Sequence, residues 1–306
     1  MDQSISIAEI ESIAPWFFPA SAFIFGAIVG SFLNVVIYRI PVGKSIVSPG
    51  SHCACGTAIK WHHNVPILSW ILLRGKASCC GQPYSIRYPL VETLTAVLFF
   101  LSWITLDPAV ALAAMLLISL LISASFIDLD HMIIPDSISI WGTVVVVLLS
   151  FCIPAIQGYG GEGPYLLASI KSGITSIIGV FTGSGLILWI ALVAEAVLKK
   201  EAMGFGDVKL MGLIGAFLGW QGALFTVFGG AIVGTVWFII ALLSRLIFKN
   251  ETSKILPAET PDGEATSAGF GTHVPFGPML AIASMLYLLW AKPYFEAYLH
   301  TIASLW

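Results

Sequence analysis

Eight stretches of apolar residues, separated by more polar segments, leave this chain few ways to fold. A helix needs about 20 apolar residues to cross a bilayer. Only 10% of the 306 residues are charged and the mean hydropathy is +0.93, whereas a soluble domain carries about 25% charged residues. The sequence therefore predicts an all-α polytopic membrane protein with about eight transmembrane helices, at about 15–38, 89–106, 109–127, 137–157, 168–198, 207–220, 222–248 and 275–292.

The basic residues predict which side of the membrane each connecting segment faces. Lys and Arg concentrate in the cytoplasmic loops of membrane proteins. If the segment after the first span is cytoplasmic, alternating spans place twelve of the 14 basic residues inside and only Lys171 and Lys292 outside. Both ends of the chain then face outward, and an acidic N-terminus without basic residues predicts no cleavable signal peptide.

This topology divides the chain into three regions. Residues 1–38 hold the first span, residues 39–88 form a cysteine-containing cytoplasmic domain between spans 1 and 2, and residues 89–306 form a membrane-embedded domain. Within the last region, residues 250–272 are rich in Glu, Thr, Ser, Pro and Gly, which is typical of a flexible loop.

Acidic residues interrupt this apolar chain at two connections that the topology places on the same side. FIDLDHMIIPD contains Asp128, Asp130 and Asp136, and GFGD ends with Asp207. Two carboxylates held close together cannot both ionise, so one can activate a water while the protonated one polarises a carbonyl. The glycines before Asp207 let an extended peptide approach the backbone. The pattern suits peptide hydrolysis.

The same acids also have purely structural interpretations. Acids at the ends of spans are commonly solvated, and Asp is frequent at helix N-caps. Asp136 follows Pro135 and precedes an apolar run, which is typical of an N-cap. Asp130 and His131 fit a hydrated loop.

Two glutamates lie nearer the predicted membrane interior than these aspartates. Glu92 and Glu195 fall within or beside apolar runs, and ionisable groups at such positions are commonly functional. Glu92 lies only a few residues inside the second span, so an alternative is that it extends outward toward Arg87.

Four of the five cysteines lie within 28 residues of the cytoplasmic region. Disulfides are disfavoured in a reducing compartment, so clustered thiols there indicate a tetrahedral metal site, with zinc as the metal. The C-x-C and C-C spacings are shorter than those of zinc knuckles, and His52, His62 and His63 are alternative ligands. Cys152, within a span, is predicted to be a small buried hydrophobe. The predicted ligands are Cys53, Cys55, Cys79 and Cys80.

Six motifs in order give the chain a family resemblance that runs nearly from end to end. The chain resembles the type IV prepilin peptidases, also called prepilin leader peptidase/N-methyltransferases. The motifs are GSFLNVVIYRIP (30–41), NVPILSWILLRGK (64–76), SIRYPLVE (85–92), IDLDHMIIPD (127–136), MGFGDVKLMGLIGAFLGW (203–220) and PFGPMLA (275–281).

The resemblance implies an activity, a location and catalytic residues. Family members act in the cytoplasmic membrane, in the type IV pilus and type II secretion pathways. They cleave the basic leader of prepilins and pseudopilins at the cytoplasmic face with two aspartates and no metal. They then methylate the new N-terminal residue with S-adenosylmethionine. The family aspartates fall on Asp128 and Asp207, and Lys209 either influences their shared proton or extends to the interface. Residues 89–306 would then be the peptidase domain.

The cysteine region departs from the family pattern of two C-x-x-C pairs. Aligned on the shared glycines, Cys55 and Cys80 match the second cysteine of each pair, whereas the first members fall on His52 and Ala77. Either the four cysteines still bind zinc on an adjusted backbone, or the metal site is degraded.

The prediction of methyltransferase activity depends on the resemblance alone, because the chain contains no Gly-rich turn of a Rossmann-like fold. We expect Asn34, Arg87 and Glu92 to border the S-adenosylmethionine site, where Glu92 would balance the sulfonium charge. The alternative is a structural ion pair between Glu92 and Arg87.

Two other functions remain open from the sequence. A transporter would also span the membrane many times, but it commonly carries ionisable residues near the bilayer midplane, whereas these aspartates lie at span ends. A non-catalytic scaffold of a secretion or pilus machine would tolerate loss of the aspartates. The expected partners are prepilin and pseudopilin substrates and membrane lipid, and no nucleic acid.

Overall fold

The computed structural model describes residues 9, 12–53, 55–161, 163–199, 203–247 and 275–304. These parts are helical and contain no strand, only two isolated antiparallel bridges. In chain order the helices are α1 (Phe17–Arg39), α2 (Leu68–Leu72), α3 (Arg87–Thr105), α4 (Pro108–His131), α5 (Asp136–Cys152), α6 (Tyr165–Leu198), α7 (Phe205–Ile247), α8 (Gly277–Leu286) and α9 (Lys292–Ala303). Short 3₁₀ turns occupy Trp61–His63 and Pro154–Gln157, and a π-helical segment, Tyr287–Ala291, joins α8 to α9.

Among the described residues, five helices are long and apolar enough to cross a membrane: α1, α3, α4, α6 and α7 up to Ser244. Helix α5 is apolar but shorter. The protein is thus a helical, multi-pass membrane protein, as predicted, and four of its five cysteines lie between the first and second spans. The flexible loop predicted at 250–272 lies outside the described residues.

Helix α7 reverses direction at Gly219, whose backbone is not helical (φ 68°, ψ −175°). A Cβ built on Gly183 of α6 would lie 2.3 Å from the carbonyl oxygen of Met211 and 3.6 Å from Cβ of Ala223. In a straight helix those twelve residues would span about 18 Å, so the chain must fold back between them. We name the two parts α7a (205–218) and α7b (220–247). The break agrees with the boundary predicted near 220–222.

Small residues allow α6 and α7a to pack with their backbones in contact. A Cβ on Gly179 would lie 2.0 Å from the carbonyl oxygen of Gly215, and a Cβ on Gly215 would lie 2.1 Å from the carbonyl oxygen of Gly179. Ser176 and Ser184 donate hydrogen bonds across this interface, over 2.7 Å and 2.9 Å, to backbone carbonyls of α7a. Such close contact between small residues is a common way for helices to associate in lipid, where burial of apolar area gives little driving force.

The carbonyl groups at the end of α7a need partners because the helix stops at Gly219. The Gln157 amide supplies them: Nε2 donates to the carbonyl oxygens of Ala216 at 2.9 Å and Phe217 at 3.1 Å. These two carbonyl groups therefore accept side-chain hydrogen bonds, as polar backbone groups in an apolar environment must.

Helix α4 forms the centre of the bundle. Its Leu117, Ile118, Leu121, Ala124 and Ile127 are 0–1% exposed, and its apolar residues lie on all sides, as expected for a helix with neighbours all around it. The last turns of this buried helix carry Asp128, so its position depends on the central packing of the fold.

Candidate active site

Asp128 lies near the end of α4 and its residue is 6% exposed. The helix ends where Met132 adopts a left-handed conformation (φ 52°), and the Met132 N–H donates to the Asp128 carbonyl oxygen at 2.9 Å. The chain therefore leaves the helix at Met132, four positions after the aspartate. This leaves the carboxyl group at the boundary between the buried bundle and the connection to α5.

The carboxyl group of Asp128 accepts a hydrogen bond from the start of another helix. The backbone N–H of Gly277, the first residue of α8, donates to Asp128 Oδ2 over 3.1 Å. Free N–H groups at a helix N-terminus stabilise negative charge. A Cβ on Gly277 would lie 2.7 Å from Oδ2, so a larger residue would displace the carboxyl group or α8.

Asp207 reaches the same place from the first turn of α7a and is 8% exposed. The two carboxyl groups are close enough to interact electrostatically. Ile134 joins the two sides of the site: a Cβ on Gly206 would lie 3.2 Å from Cβ of Ile134, and a Cβ on Gly277 would lie 3.3 Å from its Cδ1. The structure thus brings the two family aspartates together in a nearly buried site.

The third acid of the predicted set, Asp136, does not cap its helix. Asp136 is the first residue of α5 and follows the N-cap residue Pro135, and it makes no side-chain capping hydrogen bond. Instead, its Oδ1 lies 2.6 Å from Nζ of Lys209, which also lies 5.2 Å from the ring centroid of Phe205. The N-cap prediction was wrong because the helix begins one residue earlier than a cap at Asp136 requires, and the side chain turns toward α7a.

Asp130 was predicted to be hydrated, and it pairs with Arg87 at 2.7 Å while its side chain stays 36% exposed. The predicted alternative of an ion pair between Arg87 and Glu92 was wrong. Five positions on a helix correspond to about 140° of rotation, so the two side chains project from different faces of α3. His131 and Glu195 are exposed.

Glu92 is nearly buried and holds the segment around Ile67 against α3. Its Oε2 accepts a hydrogen bond from the Ile67 N–H at 2.7 Å. Ile67 has positive φ (63°) with ψ −54°, and the Leu68 N–H donates to the Pro66 carbonyl across it, which forms a γ-turn. This conformation is rare and strained for a β-branched residue. Strain of this kind persists only where the surroundings impose it, and the bond to Glu92 is such a constraint.

Asn34 of α1 lies at the same junction. Its Nδ2 donates to the carbonyl oxygens of Tyr88 at 3.2 Å and Gly30 at 3.3 Å. A Cβ on Gly30 would lie 2.7 Å from Cα of Glu92, so α1 and α3 are in backbone contact here. Asn34 and Glu92 therefore border one junction, whereas Arg87 turns away from it.

The four cysteines of residues 53–80 form one cluster in which all the sulfur atoms lie within 4.8 Å of one another. The distance between the Sγ atoms is 3.6 Å for Cys53 and Cys80 and 3.4 Å for Cys55 and Cys79. A tetrahedral zinc site with bonds of about 2.3 Å has sulfur–sulfur edges of roughly 3.8 Å. The cluster therefore fits a tetrahedral ion.

Two short loops bring these cysteines together despite their unusual spacing. One is closed by the bridge between His52 and Ala58, and the other by the bridge between Lys76 and Pro83. The shortest sulfur contacts join one loop to the other, so the tight C-x-C and C-C spacings do not set them. Hydrogen bonds with Thr57 lower the pKa of Cys55 to about 6, whereas hydrogen bonds with Cys55 and Cys53 raise the pKa of Cys79 to about 12. One thiol of this pair therefore favours the thiolate that a metal needs, and the other must lose its proton when a metal binds.

The other predicted metal ligands and the fifth cysteine lie elsewhere. Within the described residues, no histidine joins the cluster: His52 Nδ1 contacts the Gly50 carbonyl at 3.0 Å and His63 Nδ1 contacts Ser78 Oγ at 2.8 Å. Cys152 is exposed at the end of α5, so the prediction that it is buried was wrong.

Comparison with known proteins identifies the family. Residues 24–106 match the family model of the bacterial peptidase A24 N-terminal domain, and residues 115–239 match that of the type IV leader peptidase family. A prepilin leader peptidase/N-methyltransferase of Aeromonas salmonicida (strain A449) is 32% identical over 97% of this chain and 99% of its own length. The chain belongs to the type IV leader peptidase family.

Other prepilin leader peptidase/N-methyltransferases give similar agreement. The protein of Aeromonas hydrophila is 33% identical over 96% of this chain and 98% of its own length. That of Myxococcus xanthus (strain DK1622) is 37% identical over 74% of this chain, a match that spans 64% of the relative. No solved structure matches the chain.

The two family regions separate the two groups of residues described above. The leader peptidase region contains Asp128 and Asp207, whereas the N-terminal region contains Asn34, Glu92 and the cysteine cluster. Gly277 lies outside both matched ranges. In the sequence, Gly277 stands out only as part of the PFGPMLA motif. Its role depends on a backbone N–H that no side-chain pattern reveals.

Proposed function

We propose that this member of the type IV leader peptidase family cleaves the leader of prepilins and pseudopilins with Asp128 and Asp207. The observation that supports this most directly is the pair of nearly buried carboxyl groups beside Ile134, one of which accepts a hydrogen bond from the Gly277 N–H. Apart from the family relationship, this is the arrangement that a two-aspartate hydrolysis needs: one ionised carboxylate and one protonated carboxyl group.

The hydrogen bond from Gly277 assigns the two roles. An N–H at a helix N-terminus stabilises the ionised form of Asp128, so Asp128 acts as the general base. It takes a proton from a water, and the oxygen of that water bonds to the carbonyl carbon of the scissile peptide while Asp207 donates its proton to the carbonyl oxygen. The tetrahedral intermediate then breaks its C–N bond as Asp128 returns its proton to the leaving nitrogen. Asp207 takes a proton back from one hydroxyl of the intermediate, so the new carboxyl group forms and both aspartates regain their starting states.

The second part of the proposal is N-methylation of the newly formed N-terminal residue. S-adenosylmethionine supplies an electrophilic methyl group on a sulfonium cation. Glu92 and Asn34 fit a cationic ligand because they place a nearly buried carboxylate and a carboxamide at one junction. Glu92 would face the positive charge of S-adenosylmethionine, and Asn34 would orient the polar groups of that ligand.

We also propose that Cys53, Cys55, Cys79 and Cys80 hold zinc, which would supply a structural cross-link between their two loops. A tetrahedral thiolate site contributes directly to folding because its ligands are not assembled in the unfolded chain. Residues 39–88 would then be the methyltransferase-associated domain and residues 89–306 the peptidase domain.

The membrane arrangement that we propose has eight crossings. Because α7 reverses at Gly219, α7a and α7b count as two, and α5 and the α8–α9 unit complete the set. The aspartates lie at the end of the bundle near Arg87 and Lys209, whereas Lys292 lines a cavity beside Gln157 and Trp220 at the opposite end. The excess of basic residues at the aspartate end supports a cytoplasmic location for that end, at the inner membrane of a bacterium.

Incubation of the purified protein with a leader-bearing prepilin, with and without S-adenosylmethionine, tests this function. Mass spectrometry should show loss of the leader in both reactions and one added methyl group only when the donor is present. A transporter or a non-catalytic scaffold would leave the prepilin intact.

A further inference from the structure

We propose that Arg87 is a positioning residue for the peptidase site, which rests on the function proposed above. Its guanidinium lies on the last turns of α4, the helix that carries Asp128. Nη1 donates to the Asp130 carboxylate at 2.7 Å, and Nη2 donates to the Phe126 carbonyl oxygen at 3.1 Å. The guanidinium carbon also lies 4.9 Å from the centroid of the Phe126 ring. One side chain from α3 thus holds two successive turns of α4.

The two residues that Arg87 contacts flank Asp128 in sequence and lie on the opposite face of α4. Phe126 and Asp130 are four positions apart, so they share one face of the helix. Asp128 is two positions from each, about 200° around the axis, so it projects from roughly the opposite face. There it meets Gly277. Rotation of this turn would move the Asp128 carboxyl away from the Gly277 N–H, and Arg87 opposes that rotation.

Both the charge and the planar shape of the Arg87 guanidinium suit this position. A cation near a helix C-terminus is favourable because the last carbonyl groups carry partial negative charge. The planar guanidinium can donate to a carboxylate and a carbonyl at the same time, which a lysine ammonium on a flexible stem does less well. Since the side chains of Arg87 and Asp130 are 33% and 36% exposed, the ion pair adds little to global stability. Its effect should therefore appear in catalysis rather than in folding.

The sequence predicts a different role for Arg87, at the border of the methyl-donor site. Tyr88, the next residue, contacts Asn34 through its carbonyl oxygen, so both roles are near in space. They differ in the reaction that depends on Arg87. A positioning role predicts a defect in leader cleavage, and a role in the donor site predicts a defect in methylation.

The test compares purified Arg87→Gln, Arg87→Lys and Asp130→Asn with the unmodified protein. The matched control is Lys171→Gln, which removes an exposed cation of α6 at the opposite end of the bundle. The kcat and KM of prepilin cleavage are measured, together with methylation of a pilin that has already been cleaved. We expect Arg87→Gln to lower kcat of cleavage by about tenfold or more, because small displacements of catalytic groups have effects of this size. KM and methylation should stay near the unmodified values.

The other variants make the proposal falsifiable even if Arg87→Gln fails to insert. Arg87→Lys should recover part of kcat, because lysine can still pair with Asp130. Asp130→Asn should lower kcat by less than Arg87→Gln and keep substantial activity, because the bond to Phe126 remains. A folded Arg87→Gln protein with normal cleavage, or one that loses only methylation, would overturn the inference. If Arg87→Gln does not accumulate, unchanged kcat in both Arg87→Lys and Asp130→Asn would overturn it as well. Failure of the unmodified protein to cleave prepilin would instead refute the proposed function.

Discussion

The Gly277 N–H donates a hydrogen bond to Oδ2 of Asp128 over 3.1 Å, although 149 positions separate the two residues. This bond joins the start of α8 to the end of α4. It places a helix N-terminus beside a carboxyl group in a nearly buried site, where hydrogen bonds have more effect than in water. The position and the charge of Asp128 therefore depend on a segment that carries no acidic side chain of its own.

We predict that Gly277→Ala lowers leader cleavage by about a hundredfold, because a methyl group 2.7 Å from Oδ2 must displace the carboxyl group or α8. The rate of cleavage of a purified prepilin measures this. Methylation of a pre-cleaved pilin should continue, since Asn34 and Glu92 lie at another junction.

Gly185→Ala is the matched control for that substitution. Gly185 is a helical glycine of α6, and a Cβ built on it has no heavy atom within 4 Å apart from its own chain neighbours. Cleavage by Gly185→Ala should equal that of the unmodified protein. Unimpaired cleavage by Gly277→Ala would show that the contact with Asp128 is not needed for catalysis.

The cysteine cluster predicts about one equivalent of zinc in the purified protein by elemental analysis. Replacing Cys55 and Cys80 by Ser should release the metal and make residues 40–86 more sensitive to proteolysis, because loss of the ligands removes folding free energy. Cys152→Ser, which changes the one cysteine outside the cluster, should keep the metal. Protein that is free of metal and fully active in both reactions would contradict an essential zinc site.

For Glu92, we predict that the substitution to Gln reduces methylation by about tenfold or more and leaves cleavage nearly unchanged. A Gln side chain can still accept the hydrogen bond from Ile67, but it has no charge to balance a sulfonium cation. Parallel assays of the two reactions separate these effects, and Glu195→Gln, an exposed residue of α6, is the control. Equal loss of both activities would indicate that Glu92 only holds the structure together.

Because α6 and α7a are in close contact, we predict that a bulky residue in their interface prevents folding rather than slowing catalysis. Gly215→Val should prevent accumulation of the folded protein, because its side chain would collide with the Gly179 carbonyl oxygen, which lies 2.1 Å from the Cβ position. The amount of monodisperse protein after detergent extraction measures this. Normal yield and normal thermal stability would show that the two helices can separate without loss of the fold.

The sequence predicted those features that depend on local pattern. Apolar runs of about 20 residues indicate helices in lipid whatever their partners, so the helical class and the break near Gly219 followed from the chain itself. The proximity of Asp128 and Asp207 was predictable because alternating spans place both connections on one side of the membrane.

Contacts set by helix rotation could not be predicted. Whether Arg87 meets Glu92 or Asp130 depends on which face of α3 turns toward α4, and this is decided by packing over the whole bundle. The same reason explains why Asp136 pairs with Lys209 instead of capping α5. The cysteine spacing was similarly misleading, because the shortest sulfur contacts join two loops and cannot be read from the spacing within either loop.

Cleavage of prepilin by Asp128→Asn, Asp207→Asn and the double variant tests the central claim most directly. Asp107→Asn, an exposed residue at the other end of α4, controls for loss of an acid, and all variants must insert at normal levels. An amide can neither take a proton from water nor share one with its neighbour, so each single variant should abolish cleavage. The double variant should be little worse than either, because the two groups act as one unit. Methylation of a pre-cleaved pilin should survive. Normal cleavage by a well-folded Asp207→Asn protein would contradict the two-aspartate mechanism.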